Sequence, residues 1–214
     1  MHTWAIFLWL PVSMGLMAHG GTVEGTVRLP PATPPKSIAV EKYVGKISGQ
    51  VKPPPPPVAA VWLTAPGLTA PASPPDQVFD QSGYQFSSSL FAFSKNTRVF
   101  FPNRDPDFHN VFSLSRGNRF DLGRYKAGGK KPSRIFKRTG VVRLRCEIHP
   151  HMRANLLIVD TPYVVNTDDR GRFSIKNIPL GSYTIHAMIT PKVQWQQPIS
   201  VPKKGTVKVS FSNS

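Results

Sequence analysis

Cysteine is almost missing from this chain: Cys146 is the only one in 214 residues. An intramolecular disulfide is therefore excluded, and so is any binuclear metal centre built on two cysteines. Acidic residues are also scarce, with 11 Asp and Glu against 27 Lys and Arg, a formal net charge of +16. Such a balance suits acidic partners or anionic surfaces. Long apolar runs are confined to the first 18 residues, and nothing after them is long and apolar enough to cross a bilayer. A recognisable nucleic-acid-binding module is absent too, so nucleic acid is not expected as a partner despite the charge.

Residues 1–18 contain no Asp, Glu, Lys or Arg and end in Gly15-Leu16-Met17-Ala18, a small-residue ending suited to signal-peptidase cleavage. The run is short and interrupted by Pro11, which makes it a poor membrane span. We expect a signal peptide cut near Ala18, and a periplasmic or otherwise extracytoplasmic protein. An odd thiol in an exported chain then needs an explanation.

Cys146-Glu147-Ile148-His149-Pro150-His151-Met152 supplies one, placing a thiol, two imidazoles and a thioether within seven residues. A lone cysteine is more often a small buried hydrophobe. Here its neighbours turn the balance. The preceding Val141-Val142-Arg143-Leu144-Arg145-Cys146 alternates apolar and charged residues, so a strand would send Val142, Leu144 and Cys146 inward. Pro150 breaks the ladder and an apolar run resumes at Leu156-Leu157-Ile158-Val159. The loop between is a soft-ligand site, and thiolate, imidazole and thioether together favour copper over oxygen-seeking cations.

A further imidazole stands upstream, in Asp105-Pro106-Asp107-Phe108-His109-Asn110. A first His followed by Asn, then a distant Cys-x-x-His-x-x-Met, resembles the cupredoxins, and the short loop is most similar to the amicyanin type. The resemblance spans roughly residues 77–159. It implies one mononuclear Cu(I)/Cu(II) ion held by His109, Cys146 and His149, with Met152 as a weak axial ligand. It implies that Asn110 ties the two ligand loops together, that the ring edge of His149 reaches the surface, and that Pro150 and Met152 give it a flat apolar surround. His151 replaces the aromatic residue of the amicyanin pattern and offers an alternative ligand.

Short runs such as Leu90-Phe91-Ala92-Phe93 and Val111-Phe112-Ser113-Leu114, broken by Asn, Gly and Pro, predict antiparallel strands. Phe79, Tyr84, Phe86, Phe91, Phe93 and Phe100 read mostly as core. Beyond Val159, Thr167-Asp168-Asp169-Arg170-Gly171-Arg172-Phe173 followed by Pro179-Leu180-Gly181-Ser182-Tyr183 resembles the carboxypeptidase regulatory-like, transthyretin-like sandwich. The strands that normally precede this motif occur before the copper region, at Glu24-Gly25-Thr26-Val27 and Ala60-Val61-Trp62-Leu63. We therefore expect an all-β chain: a cupredoxin Greek-key sandwich over 76–160, inserted in a smaller transthyretin-like sandwich made of 22–75 with 161–214. Pro53 to Pro57 and Ala70-Pro71-Ala72-Ser73-Pro74-Pro75 read as extended spacers. Asp168 and Asp169 read as turn residues rather than calcium ligands.

Basic residues gather between the ligand motifs, among them Arg116, Arg119, Arg124, Arg134, Arg143 and Arg145. Such a surface speeds encounter with an acidic redox protein, such as a c-type cytochrome or a dehydrogenase, or gives peripheral contact with an anionic surface. A site filled by protein ligands leaves no place for substrate, so an outer-sphere electron carrier is expected and not an enzyme. Its rivals are a protein that stores, delivers or senses copper, and a surface interaction protein with a vestigial copper domain. A second copper would need extra imidazoles, and His19, His151 and His186 belong to widely separated stretches.

Overall fold

The computed structural model describes residues 20–32, 50–129 and 131–212. The segment expected to be a signal peptide, and His19, lie outside these residues. The chain is all-β, with no helix among the described residues.

Among the described residues, fifteen strands form four sheets. β1 (Gly21–Val27), β12 (Arg172–Ile178) and β15 (Thr206–Phe211) make the first, in the order β12-β1-β15. β2 (Ala60–Thr64), β11 (Val164–Asn166), β13 (Gly181–Thr190) and β14 (Val193–Val201) make the second, in the order β11-β2-β13-β14. β4 (Leu90–Ser94), β6 (His109–Ser113), β7 (Phe120–Tyr125), β9 (Gly140–Arg145) and β10 (Arg153–Val159) make the third, in the order β4-β10-β9-β6-β7. β3 (Gln77–Val78), β5 (Arg98–Phe100) and β8 (Ser133–Ile135) complete the fourth. Strands from both ends of the chain pair with each other: β1 lies antiparallel to β12 and parallel to β15, and β2 lies between β11 and β13. Strands β3 to β10 pair only among themselves.

Three apolar layers join the four sheets. Val23, Phe173, Ile175 and Val209 of the first sheet meet Val61, Leu63, Ile185 and Ala187 of the second. Ala60 and Met188 on the second sheet's other face meet Leu90, Ala92, Leu157 and Val159 of the third. Beyond that, Phe93, Val142, Leu144, Leu156 and Ile158 pack with Phe79, Val99, Phe101 and Phe136 in the largest core. Period-two alternation explains the arrangement. On β10, Leu156 and Ile158 enter one core while Leu157 and Val159 enter another. A strand buried on both faces has no polar side to show, which is why Leu156 to Val159 reads as an unbroken apolar run.

Polar contacts pin the third sheet to the second. Asn166 accepts from the Ala92 N–H at 2.8 Å and donates to its carbonyl at 3.0 Å, closing the edge of β4. The Ser94 hydroxyl donates to the Thr161 carbonyl, and Lys95 pairs with Asp160 at 2.7 Å. The small-residue spacer is held as well: the Ala70 N–H donates to Asp160 and Asn96 donates to the Pro71 carbonyl. At the Asp168 turn the carboxylate accepts from the backbone of Arg170 and Arg172 and from the Arg172 side chain, so its oxygens serve the turn. Gly171 closes that turn at φ 76°, where a Cβ would run into the Val27 carbonyl.

Because one apolar layer is shared by the second and third sheets, the two halves are expected to melt together. Leu157→Ala should cost about 2–5 kcal/mol and lower a single calorimetric transition by about 2–4 °C per kcal/mol. Two separate transitions, only one of them moved by the substitution, would contradict a shared core.

Candidate metal centre

Alternation along two strands brings the donors together. His109 opens β6 facing the large core, two residues before the inward Val111. Cys146 follows β9, continuing the inward series Val142 and Leu144. The chain then turns: the Met152 N–H donates to the His149 carbonyl at 2.9 Å and the Cys146 N–H to the Met152 carbonyl at 3.3 Å. This tight loop returns His149 to the side of Cys146.

The ligand atoms of His109, Cys146 and His149 all lie within 4.8 Å of one another, and all three residues are buried. Nδ1 of His149 is 3.1 Å from Nδ1 of His109 and 3.8 Å from the Cys146 sulfur. On its far side His109 directs Nε2 to the buried Asp105 carboxylate at 2.8 Å. An ionised carboxylate only accepts, so Nε2 carries a proton, and Nδ1 is the nitrogen left to face Cys146 and His149, donating when the ring is protonated and presenting its lone pair when it is neutral. Two imidazole nitrogens and a sulfur thus converge on one small region, a donor set that fits a soft cation.

Asn110 sits between the two ligand segments. Its side-chain oxygen accepts from the Glu147 N–H at 3.4 Å, and its amide donates to Asp121 at 2.6 Å and to the Gly123 carbonyl at 3.1 Å. Met152 is fully buried in the core that holds Cys146. His151 is not among the convergent donors: its Nε2 lies 2.9 Å from the Tyr84 carbonyl, and burial lowers its pKa.

Electrostatics favour a thiolate. Burial pushes the Cys146 thiol up, but hydrogen bonds from His109, from His149 and from the backbone of Asn110 and His149 outweigh it, and the pKa falls from 9.0 to about 6. Burial likewise works against the charged form of His109, and its bonds to Asp105 and Cys146 override it, so its pKa is raised. Asp105 is lowered for the same kind of reason: burial opposes the charge, and the His109 bond with the Tyr84 and Gly83 amides prevails.

Two surroundings differ from the resemblance. His149 is only 3% exposed and Met152 is fully buried, so neither presents the surface expected of it. The loop folds back through its own backbone hydrogen bonds, and Met152 packs in the large core instead. A depression of about 560 Å³ over His149 is walled by Phe108, Ile148, Asp107 and Arg124, with Phe108 47% exposed. Alternation could have flagged Phe108, since it precedes an inward-facing histidine. Arg124 pairs with Glu147 at 2.7 Å, and Lys126 sits 4.7 Å over the Phe108 ring.

Tyr84, read from sequence only as core, touches both histidines. Its ring lies edge-on to His109 at 5.5 Å and to His149 at 5.2 Å, and its hydroxyl donates to Asp107 at 2.6 Å. Phe79, Phe86 and Phe93 are core, and Phe91 packs against it. Neither Tyr84 nor Asp105 carries a spacing signal, because each acts through space.

No family model matches the chain, and no curated protein matches its sequence. Among solved structures it is similar to a copper-containing nitrite reductase from Thermus scotoductus, at 18% identity and TM-score 0.38, over 41% of this chain and 23% of that one. It is similar to a purple cupredoxin from Nitrosopumilus maritimus, at 20% identity and TM-score 0.35, over 40% of this chain and all of that one. A Cu(I) amicyanin variant aligns at 18% identity and TM-score 0.36, over 39% of this chain and 82% of that one. At such scores the likeness decides nothing about chemistry; the converging donors bear on it directly.

A folded pKa below the unfolded one means that the Cys146 thiolate stabilises the metal-free fold fully above pH 9.0, and that this contribution is lost as pH falls through about 6. Ultraviolet thiolate absorbance of the metal-free protein should be half-developed near pH 6 and absent in Cys146→Ser. Half-development near pH 9.0 would refute the arrangement of donors around the sulfur.

Proposed function

We infer that this chain is an exported mononuclear copper protein that carries single electrons between redox partners. The observation that carries the reading is the buried convergence of His109, Cys146 and His149, whose donor atoms lie within 4.8 Å of one another. Copper bound there would supply the one-electron chemistry of the Cu(II)/Cu(I) pair. His109 and His149 would hold it through Nδ1 and Cys146 through its thiolate, with the Met152 thioether as a further, weaker donor. Zinc suits His and Cys but rarely takes Met. The fold rather than the ion would set the ligand positions, since Asp105, Asn110 and Tyr84 fix the ligand residues from outside, and so little would need to move on electron transfer.

Burial favours a carrier over an enzyme or a copper-delivery protein. His109, Cys146 and His149 are all buried, which would slow exchange of the metal with an acceptor. One route for electrons would run through His149, beneath the depression walled by Phe108 and Ile148, and a second through Cys146 from the outer face of β9.

An acidic redox partner fits the outer face of the third sheet. Arg145 lies directly opposite Arg153 across the β9–β10 ladder, a placement that destabilises a sheet unless something anionic covers it. Arg116, Arg143 and Arg145, with Leu114 and Pro191, line a cleft of about 470 Å³. None of these three takes part in an ion pair among the described residues. Arg145 also adjoins Cys146, so a partner seated there would lie against the strand that leads to the thiolate.

Copper loading tests the central reading. After removal of excess Cu(II), an intense visible thiolate-to-copper band is expected, bleached by mild reductant and missing in Cys146→Ser. A colourless protein, or one that yields its metal to a weak chelator, would move copper handling ahead of electron transfer. For the partner, Arg143→Glu with Arg145→Glu should slow reaction with an acidic c-type cytochrome by about tenfold or more at low salt. The wild-type rate should fall steeply with ionic strength. Equal rates for variant and wild type would exclude this face.

A further inference from the structure

The cysteine thiolate is not the only buried anion at this centre. Asp105 is 6% exposed and sits behind His109, with Oδ2 2.8 Å from Nε2. Its position is built with care. The Gly83 N–H donates to Oδ1 at 2.6 Å and the Tyr84 N–H to Oδ2 at 2.9 Å, while the Asp105 N–H donates to the Asn103 side chain at 2.8 Å. Gly83 and Tyr84 both adopt left-handed backbone, at φ 64° and 58°. Glycine does so freely, but a tyrosine there is strained, and such strain persists only where the surroundings hold it. Two successive left-handed residues aim their amides at one anion, as in other anion-binding backbone concavities. Asn103 is anchored in turn, donating to the Asp107 and Tyr125 carbonyls at 2.8 and 3.0 Å.

We propose that Asp105 is a positioning residue that sets the redox balance of the centre, holding His109 with Nδ1 turned inward and favouring the oxidised metal through its fixed negative charge. The proposal rests on the copper reading above and deepens it. Its physical basis is a count of buried charge. Thiolate and carboxylate together balance a dication and leave the oxidised site neutral, whereas with a monocation the same site carries one net negative charge. Uncompensated charge is penalised in a low-dielectric core, so the oxidised form gains. A centre without this carboxylate would have the opposite balance, positive when oxidised and neutral when reduced. The chain is therefore a low-potential carrier for its ligand set, and the reaction that supplies its electron must be driven by a correspondingly strong one-electron reductant.

Asp105→Asn keeps the shape and a hydrogen-bond acceptor while removing the charge. Potentiometric titration of the copper-loaded protein should show its potential raised by a tenfold or larger shift in the oxidised-to-reduced ratio, 59 mV for a one-electron couple. Asp80→Asn, which removes a carboxylate paired with the exposed Arg104, should leave that ratio within about twofold. A second measurement does not need the variant to fold. Nitrogen-15 NMR of the zinc-loaded wild type should show His109 protonated at Nε2 and unprotonated, with the shift of a metal-bound nitrogen, at Nδ1. An unchanged or lowered potential in Asp105→Asn, or a wild-type His109 bare at Nε2, would overturn the proposal. Loss of the thiolate-to-copper band in the wild type would instead remove the copper reading itself, so the two failures are separable.

Discussion

Two imidazole nitrogens 3.1 Å apart beside a buried sulfur form an arrangement that an apolar core does not tolerate by itself. Lone pairs facing one another without water need a proton or a cation between them. The inner half of the chain is arranged around that requirement. β6 and β9 deliver His109 and Cys146 at the end of the third sheet, the loop from Cys146 to Met152 folds back on itself through backbone bonds, and Asn110 bridges the two segments. Tyr84 then presses on both rings while Asp105 fixes the outer nitrogen of one. Each of these contacts restricts a donor from behind, so that the donor atoms face one another.

The four-sheet stack gives that end of the molecule a rigid support. The third sheet is apolar on both faces over much of β4 and β10, so it cannot stand in water alone and is covered by the second sheet. Where that cover stops, its outer face changes from Leu157 and Val141 to Asn155, Arg143, Arg145 and Arg153. One pair of strands thus passes from structural interface to charged surface within three residues, and the charged part is the part next to the cysteine. The proposed docking face and the proposed metal centre meet at the same end of that short strand.

Much of this was legible in the chain itself. The alternation from Val141 to Cys146 gave the inward face of β9, and the apolar runs at Leu90 and Leu156 marked strands buried on both sides. The spacing of Cys146, His149 and Met152, with His109 before Asn110, indicated which side chains to place together, and the donor atoms of His109, Cys146 and His149 lie within 4.8 Å of one another. Other features left no mark. Asp105 stands in an ordinary-looking turn, and nothing in its neighbours says that its carboxylate meets His109. Tyr84 is one aromatic among many, and its left-handed backbone is hinted at only by the glycine before it. Sequence period governs which face a residue takes; it does not say how deep a loop residue sinks. That is why the burial of His149 and Met152, and the exposure of Phe108 in their place, emerged only from the folded chain.

X-ray absorption of the copper-loaded protein tests the central claim most directly, because it reads the atoms around the metal without relying on colour or activity. The account predicts a short shell of two imidazole nitrogens and one sulfur per copper, with stoichiometry of one, and little change in that shell on reduction. A shell dominated by oxygen, or one without a short sulfur, would contradict the assignment of His109, Cys146 and His149 as the ligands.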